Sequence, residues 1–418
     1  MTLPNIITIT ADGLRWDGLG CAGDPDILTP NIDALAAHGI RFTNAISPYP
    51  CLPAGGHAFL TGAMPGPFDP GTPAPAPPSV LALPEGLRDA GYRTAAIGAL
   101  DFSESHEARA FDEVLATGCS GLEDAYGAWL KSRGKAAPEG RGARAAALEV
   151  RLFPLGETYH PTTWTGNSAV RHCQSAPEPF FLWVSFPRPR PPFDPPAPWN
   201  RMYPAGQLRG AGFTADSNPD RVRDEKKLLA AYYGCISQVD RQIGRLLATL
   251  TARGRTRNLM ILTAGSGMPV SGARAPGAAA GSLPDALIRV PLIVAGHASQ
   301  RKGVVEPALV GLGDLAPTLF DMLHLEGAAP AGSRSFYRPL LESGVPHRQA
   351  VISAGSRGET SLRTARYKWV AQASPEEDAL FDLQADPLEM HNLQGTRQSL
   401  ALRKMLLGVS QREARADE

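Results

Sequence analysis

The run Asn5-Ile6-Ile7-Thr8-Ile9-Thr10 limits what this chain can fold into more than any other stretch. It is a continuous β-branched run, so it reads as a strand buried on both faces, which requires helices above and below a parallel sheet. The run ends at Ala11-Asp12-Gly13, placing a carboxylate at the carboxyl end of a strand. Open α/β sheets collect ligands at that edge, and an aspartate there is placed to bind a divalent cation. The plainer role for Asp12 is to cap the following turn.

The rest of the pattern fits the same architecture. Thr29-Pro30 opens a short amphipathic helix, Arg41 to Ile46 resumes a strand, and Phe180 to Ser185 is another strand. Lys226 to Leu250 carries Leu229, Tyr232, Ile236, Val239, Ile243 and Leu247 in a helical stripe, which is core packing. His160, beside Pro161, reads as a loop or capping residue, and Arg221 to Lys227 as a solvated helix start. The expected fold is a doubly wound α/β domain over residues 1–330 and a small α+β subdomain over 331–418. That subdomain is expected to hold an antiparallel sheet, with strands near Ala350 to Ser353, Ser361 to Thr364, Lys368 to Ala371 and Ala379 to Asp382, and a terminal amphipathic helix over Arg397 to Arg415.

With 41 basic and 41 acidic side chains, the chain has no charge excess of the kind that nucleic-acid or membrane-surface binders carry. MTLPNIITIT has neither the basic start nor the cleavage site of a secretory signal, and no apolar run is long enough for a bilayer. Cys21, Cys51, Cys119, Cys173 and Cys235 are scattered and form no CxxC pair, so neither a disulfide framework nor a zinc site is indicated and the expected compartment is the reducing cytoplasm.

The stretch with chemical potential is Ala45 to Gly62, in which Cys51 is followed by Pro53, Gly55-Gly56 and His57 at the start of an apolar run. A helix opening there would bring backbone N–H groups toward the thiol and lower its pKa. Taken alone, the stretch reads more simply: Cys51 as a small buried apolar residue and His57 as a satisfied histidine. Two loops are compositionally biased. Pro65 to Ser79 is too proline-rich for regular structure, and Ser266 to Gly281 is rich in Gly and Ala.

Taken together, TITADGLRWDGLGCAG, TPNIDALAAHGIRFTNAISPYPCLP, FLTG, LPEGLRDAGYRTAAIGA, HPTTW, PFFLWVSFPRPRPPFDPP, NLMILTAGSGM, LIRVPLIVAG, LGDLAPTLFDML and LFDLQADPLEMHNL follow a family order. The chain resembles the sulfatases and phosphonate monoester hydrolases of the alkaline phosphatase superfamily. The resemblance implies an alkaline-phosphatase-like sheet and hydrolysis of sulfate, phosphate or phosphonate esters. It implies that Cys51 occupies the position oxidised to formylglycine, whose hydrate is the nucleophile, and that Asp12 is the first ligand of a divalent metal, Ca or Mn.

Set against that pattern, the departures cluster at one place. The maturation motif needs an arginine where this chain has Gly55. The second acid, Asn or Gln after Asp12 is Gly13, and the later Ser-Asp-His/Asn-Gly strand end is replaced by Ala264-Gly265-Ser266-Gly267. Gly-Lys-Trp-His becomes Gly98-Ala99-Leu100-Asp101, the histidine of Arg-Pro-His-Pro-Pro becomes Arg190, and the usual lysine falls near Ala280. Each change removes a ligand, a donor or a proton carrier.

Three readings follow, in order of preference. The first is a non-catalytic sulfatase-like protein without a cofactor, in which Asp12 is vestigial and the old pocket or its rim binds a small anionic ligand or scaffolds an active paralogue or a second copy of the chain. The second is a metal-independent hydrolase or transferase with Cys51 or Ser266 as nucleophile, His57 as base, and Arg190 with Arg188 holding an anionic group. The third is a conventional formylglycine enzyme loaded with Ca or Mn.

Overall fold

Strand β1 (Asn5–Ala11) is buried at every residue and lies inside an eight-stranded sheet of order β4-β3-β5-β1-β6-β7-β2-β8. The other strands are β2 (Gly39–Ile46), β3 (Arg93–Gly98), β4 (Glu113–Ala116), β5 (Phe180–Phe186), β6 (Asn258–Thr263), β7 (Arg289–Gly296) and β8 (Val304–Gly311). The computed structural model describes residues 3–50, 54–66, 68–70, 82–100, 107–118, 124–138, 149–209, 219–268, 270, 283–297, 301–325 and 332–416. β1 pairs in parallel with β5 on one side and β6 on the other, Ile7 facing Leu182 and Met260 in register. β7 runs antiparallel to both β6 and β2.

Continuous apolar strands need cover on both faces, and helices provide it. They are α1 (Pro30–Ala37), α2 (Ala54–Thr61), α3 (Ala82–Asp89), α4 (Ala125–Ser132), α5 (Pro161–Ser175), α6 (Pro219–Ala252), α7 (Asp285–Ile288), α8 (Leu315–Leu323), α9 (Tyr337–Leu341) and α10 (Ser399–Ala416). α5 lies on β3 and β5 and against α6, which also holds α1; α2 packs with α3 and α8 and sets Phe59 edge-on to Trp183 of β5 at 5.6 Å. The α6 stripe behaves as its periodicity demands, with Leu229, Tyr232, Ile236, Val239 and Ile243 buried. His160 is a cap, its Nδ1 accepting from the Thr162 N–H at 3.2 Å.

Strands β9 (Ala350–Ala354), β10 (Thr360–Thr364), β11 (Tyr367–Ala371) and β12 (Ala379–Asp382) form a second, antiparallel sheet in the order β12-β11-β10-β9. Leu362, Trp369 and Leu380 of this sheet and Leu406 of α10 form one buried cluster. Phe68 joins it, edge-on to Trp369 at 5.1 Å.

Candidate active site

Parallel pairing with Thr10 opposite Thr263 brings the carboxyl ends of β1 and β6 side by side. The chain leaves β1 at Asp12, which is 5% exposed, and leaves β6 at Ala264-Gly265-Ser266. The segment after β5, on the other flank of β1, returns Arg190 to this edge, with Nη1 3.4 Å from Asp12 Oδ2.

Glycine is needed at position 13. Its φ of +81° is a conformation that side chains avoid, and a Cβ built there would stand 3.4 Å from the backbone N and Cα of Arg190 and 3.5 Å from Cβ of Met268. The Gly13 carbonyl accepts from the Tyr232 hydroxyl at 2.8 Å, and that hydroxyl accepts from the Arg15 N–H at 3.0 Å, so the turn after β1 is tied to α6.

The segment that leads to Cys51 is fixed from several sides. Ser47 Oγ donates to the Gly265 carbonyl at 2.5 Å, the Ser47 N–H donates to the Ile288 carbonyl, and Ser353 Oγ and the Ala354 N–H of β9 donate to the carbonyls of Ser47 and Pro48. Cys51 itself lies outside the described residues. For His57 only the backbone, inside α2, is described, so the expected pairing of these two side chains lies outside the described residues. Ser266 is half-buried at the end of β6 and makes no hydrogen bond to a described acid or histidine.

Arg188, expected beside Arg190 as a holder of an anionic group, is paired with a carboxylate of the chain itself. Arg188 is 8% exposed and clasps Asp194 through Nε and Nη2 at 2.5 and 2.7 Å, while His160 Nε2 lies 3.4 Å from the same carboxylate. Because His160 Nδ1 accepts from Thr162, Nε2 carries the proton that points at Asp194. Burial alone would raise the Asp194 pKa, but the Arg188 guanidinium and the His160 hydrogen bond hold this carboxyl well below the usual carboxylate range. Arg188 is therefore part of the scaffold. The sequence reading missed Asp194 because PPFDPP carries no periodicity that marks it as a partner.

A further cation, Arg289 at the start of β7, stacks its guanidinium 3.5 Å over the ring of Trp16 and donates from Nε to the Thr43 carbonyl at 2.7 Å. Burial draws its pKa down to about 10, against the pull of Asp285. A residue so committed walls the edge and is not a free anion ligand.

A divalent cation of the calcium type takes about six to eight oxygen ligands. At the two strand ends the described side chains offer the Asp12 carboxylate and the Ser266 hydroxyl, while Gly13 and Gly265 offer none and the Gly265 carbonyl is engaged by Ser47. Among the described residues no group of three or more His, Cys, Asp or Glu side chains is arranged to hold a metal ion. Among the described residues the donor set does not fit the metal that the fold family implies.

The family model for Sulfatase matches residues 4–325. The chain belongs to the sulfatase family. An arylsulfatase of Clostridium perfringens is 27% identical over 93% of this chain and 90% of the relative. The multifunctional alkaline phosphatase superfamily protein PehA of Trinickia caryophylli is 24% identical over 94% of this chain and 92% of that protein. Among solved structures, the phosphonate monoester hydrolase of Silicibacter pomeroyi shares the fold with a TM-score of 0.77 at 23% identity, covering 98% of this chain and 96% of that one. This sulfatase-family chain therefore keeps the scaffold of its relatives from β1 to the C-terminal sheet.

Proposed function

We propose that this sulfatase-family protein is non-catalytic toward sulfate, phosphate and phosphonate esters and uses the retained pocket edge to bind a small anionic ligand or to scaffold an active relative or a second copy of itself. One observation carries the reading: the paired ends of β1 and β6 present Asp12, Gly13, Gly265 and Ser266, a single carboxylate where ester hydrolysis in this family needs a metal cage. A lone carboxylate supplies neither the Lewis-acid polarisation of the ester nor the lowering of a bound hydroxyl's or water's pKa that a metal ion provides. No described base contacts Ser266, so nothing in the described residues favours a serine nucleophile.

The test is a turnover assay of the purified full chain on nitrophenyl sulfate, nitrophenyl phosphate and a phenyl phosphonate ester, with and without added Ca or Mn, beside the Asp12→Asn variant. The expected outcome is the same background rate for both proteins under all conditions. Turnover by the wild-type chain that Asp12→Asn abolishes overturns the reading.

A further inference from the structure

We propose that Arg190 is a tethered cation that takes the place of the divalent ion at Asp12, so that the old metal position is filled by the chain itself. The inference rests on the non-catalytic reading and specifies what became of that site.

Asp12 is 5% exposed, and a carboxylate so enclosed is strongly disfavoured unless a positive charge stands beside it. The Arg190 guanidinium, with Nη1 3.4 Å from Asp12 Oδ2 and its side chain 32% exposed, meets that need from the neighbouring strand's exit. The same segment packs on Gly13. The Arg190 backbone lies 3.4 Å from where a Cβ of residue 13 would stand, an ordinary van der Waals contact, so the chain that delivers the guanidinium rests directly on the turn after β1. The φ of +81° at Gly13 disfavours a second acidic ligand there, because a side chain in that conformation would be strained whatever the space. Across the edge, the Gly265 carbonyl accepts from Ser47 Oγ, and the β6 end adds no carboxylate beside Asp12 among the described residues.

A guanidinium differs from a metal ion in a way that can be measured. It stays protonated throughout the accessible pH range and no chelator removes it. The site is therefore expected to be indifferent to both chelator and added metal, and to depend on Arg190 instead.

The full chain, treated with chelator, is titrated with CaCl2 and with MnCl2 by calorimetry, and its thermal unfolding is recorded in each condition with Arg190→Gln, Asp12→Asn and the double variant alongside. The expected results are no uptake of either ion, an unfolding temperature unmoved by metal or chelator, a clear drop for Arg190→Gln, and recovery of most of that drop when Asp12→Asn is added. If Arg190→Gln fails to fold, folding of the double variant gives the same support. One equivalent of metal bound by the wild-type chain, an unfolding temperature unchanged in Arg190→Gln, or strictly additive losses in the double variant overturns the proposal. Ester turnover without metal uptake sinks the non-catalytic reading and leaves the Asp12–Arg190 pairing standing. Metal uptake without turnover does the reverse.

Discussion

Arg188 and Arg190 leave the same proline-rich segment, yet only Arg190 reaches the edge of the sheet where Asp12 stands. What separates them is Asp194, which closes on Arg188 bidentately within the buried interior and has His160 on its other side. Removing one member of such a pair leaves the other charged and enclosed, which costs about 3–5 kcal/mol. Arg188→Ala is therefore expected to lower the free energy of unfolding by about that amount, read from urea denaturation. Arg188→Met combined with Asp194→Asn is expected to cost much less than the sum of the single changes, because no charge is left buried. Additive losses in that cycle would show that the bidentate contact contributes nothing to stability. The sequence exposed the positions of the candidate site well, since Asp12, Gly13, Gly265 and Ser266 are fixed by strand ends that the apolar runs mark. It did not expose that Arg188 is committed to Asp194, because that partner is a tertiary one.

Long apolar elements were the most legible. β1 and β5 fall where uninterrupted apolar runs put them, and the strands of the small sheet differ from their expected limits by at most a residue at either end. α6 begins at Pro219, earlier than Lys226, because its first turns are charged and carry no apolar stripe, and pairs such as Arg221 with Glu225 at 2.7 Å lie on its exposed side. Lys368 shows what alternation along a strand cannot reveal. A lysine inside Tyr367-Lys368-Trp369-Val370-Ala371 is ordinarily solvent-facing. Here it is fully buried, donating from Nζ to the Leu283 carbonyl at 2.8 Å, lying 3.3 Å from Asp285 and contacting Glu389. Arg363 of β10 reaches Asp285 at 3.1 Å, and Glu389 accepts from the Asp285 N–H at 2.7 Å. This cluster clips the small sheet to α7 and to the residues just before it. Lys368→Met, which keeps the side-chain length and removes the charge, is expected to destabilise the chain by about 3–5 kcal/mol. Thermal unfolding checks it, and a variant as stable as wild type would mean that the clip is dispensable.

For the molecule as a whole, several buried carboxylates of opposite tendency decide how stability follows pH. Burial alone would raise the pKa of Asp194, Asp285 and Asp314. It is outweighed by Arg188 at the first, by Arg363 and Lys368 at the second and by Arg348 with His347 at the third, so all three lie below the usual carboxylate range. Burial wins at Asp240 and Glu389, whose pKa values are raised despite the N–H groups of Asn31 and Ile32 at the first and the ammonium of Lys368 at the second. A depressed carboxyl contributes stability that is fully present above its unfolded value of about 4 and is lost as pH falls toward its folded one, because the unfolded chain takes up the proton first. A raised carboxyl acts in the opposite sense: the native state takes up the proton first, so stability recovers as pH falls through the raised value toward about 4. The two groups act in different windows. Lowering the pH from neutral toward the ordinary carboxylate range is expected to leave the urea midpoint level or slightly higher, as Asp240 and Glu389 take up protons in the folded state before the unfolded one, and a steep fall is expected below about 4. Asp314→Asn serves as the internal check, since its carboxylate is enclosed by Arg348 at 2.7 and 2.5 Å and His347 at 3.1 Å. That variant is expected to be less stable at neutral pH, where Arg348 loses its nearest counter-charge and keeps Glu413 at 3.8 Å, and to show a shallower acid limb than the wild-type chain, because one proton fewer separates the two states there. An acid limb of unchanged slope would mean that Asp314 is not ionised in the folded protein.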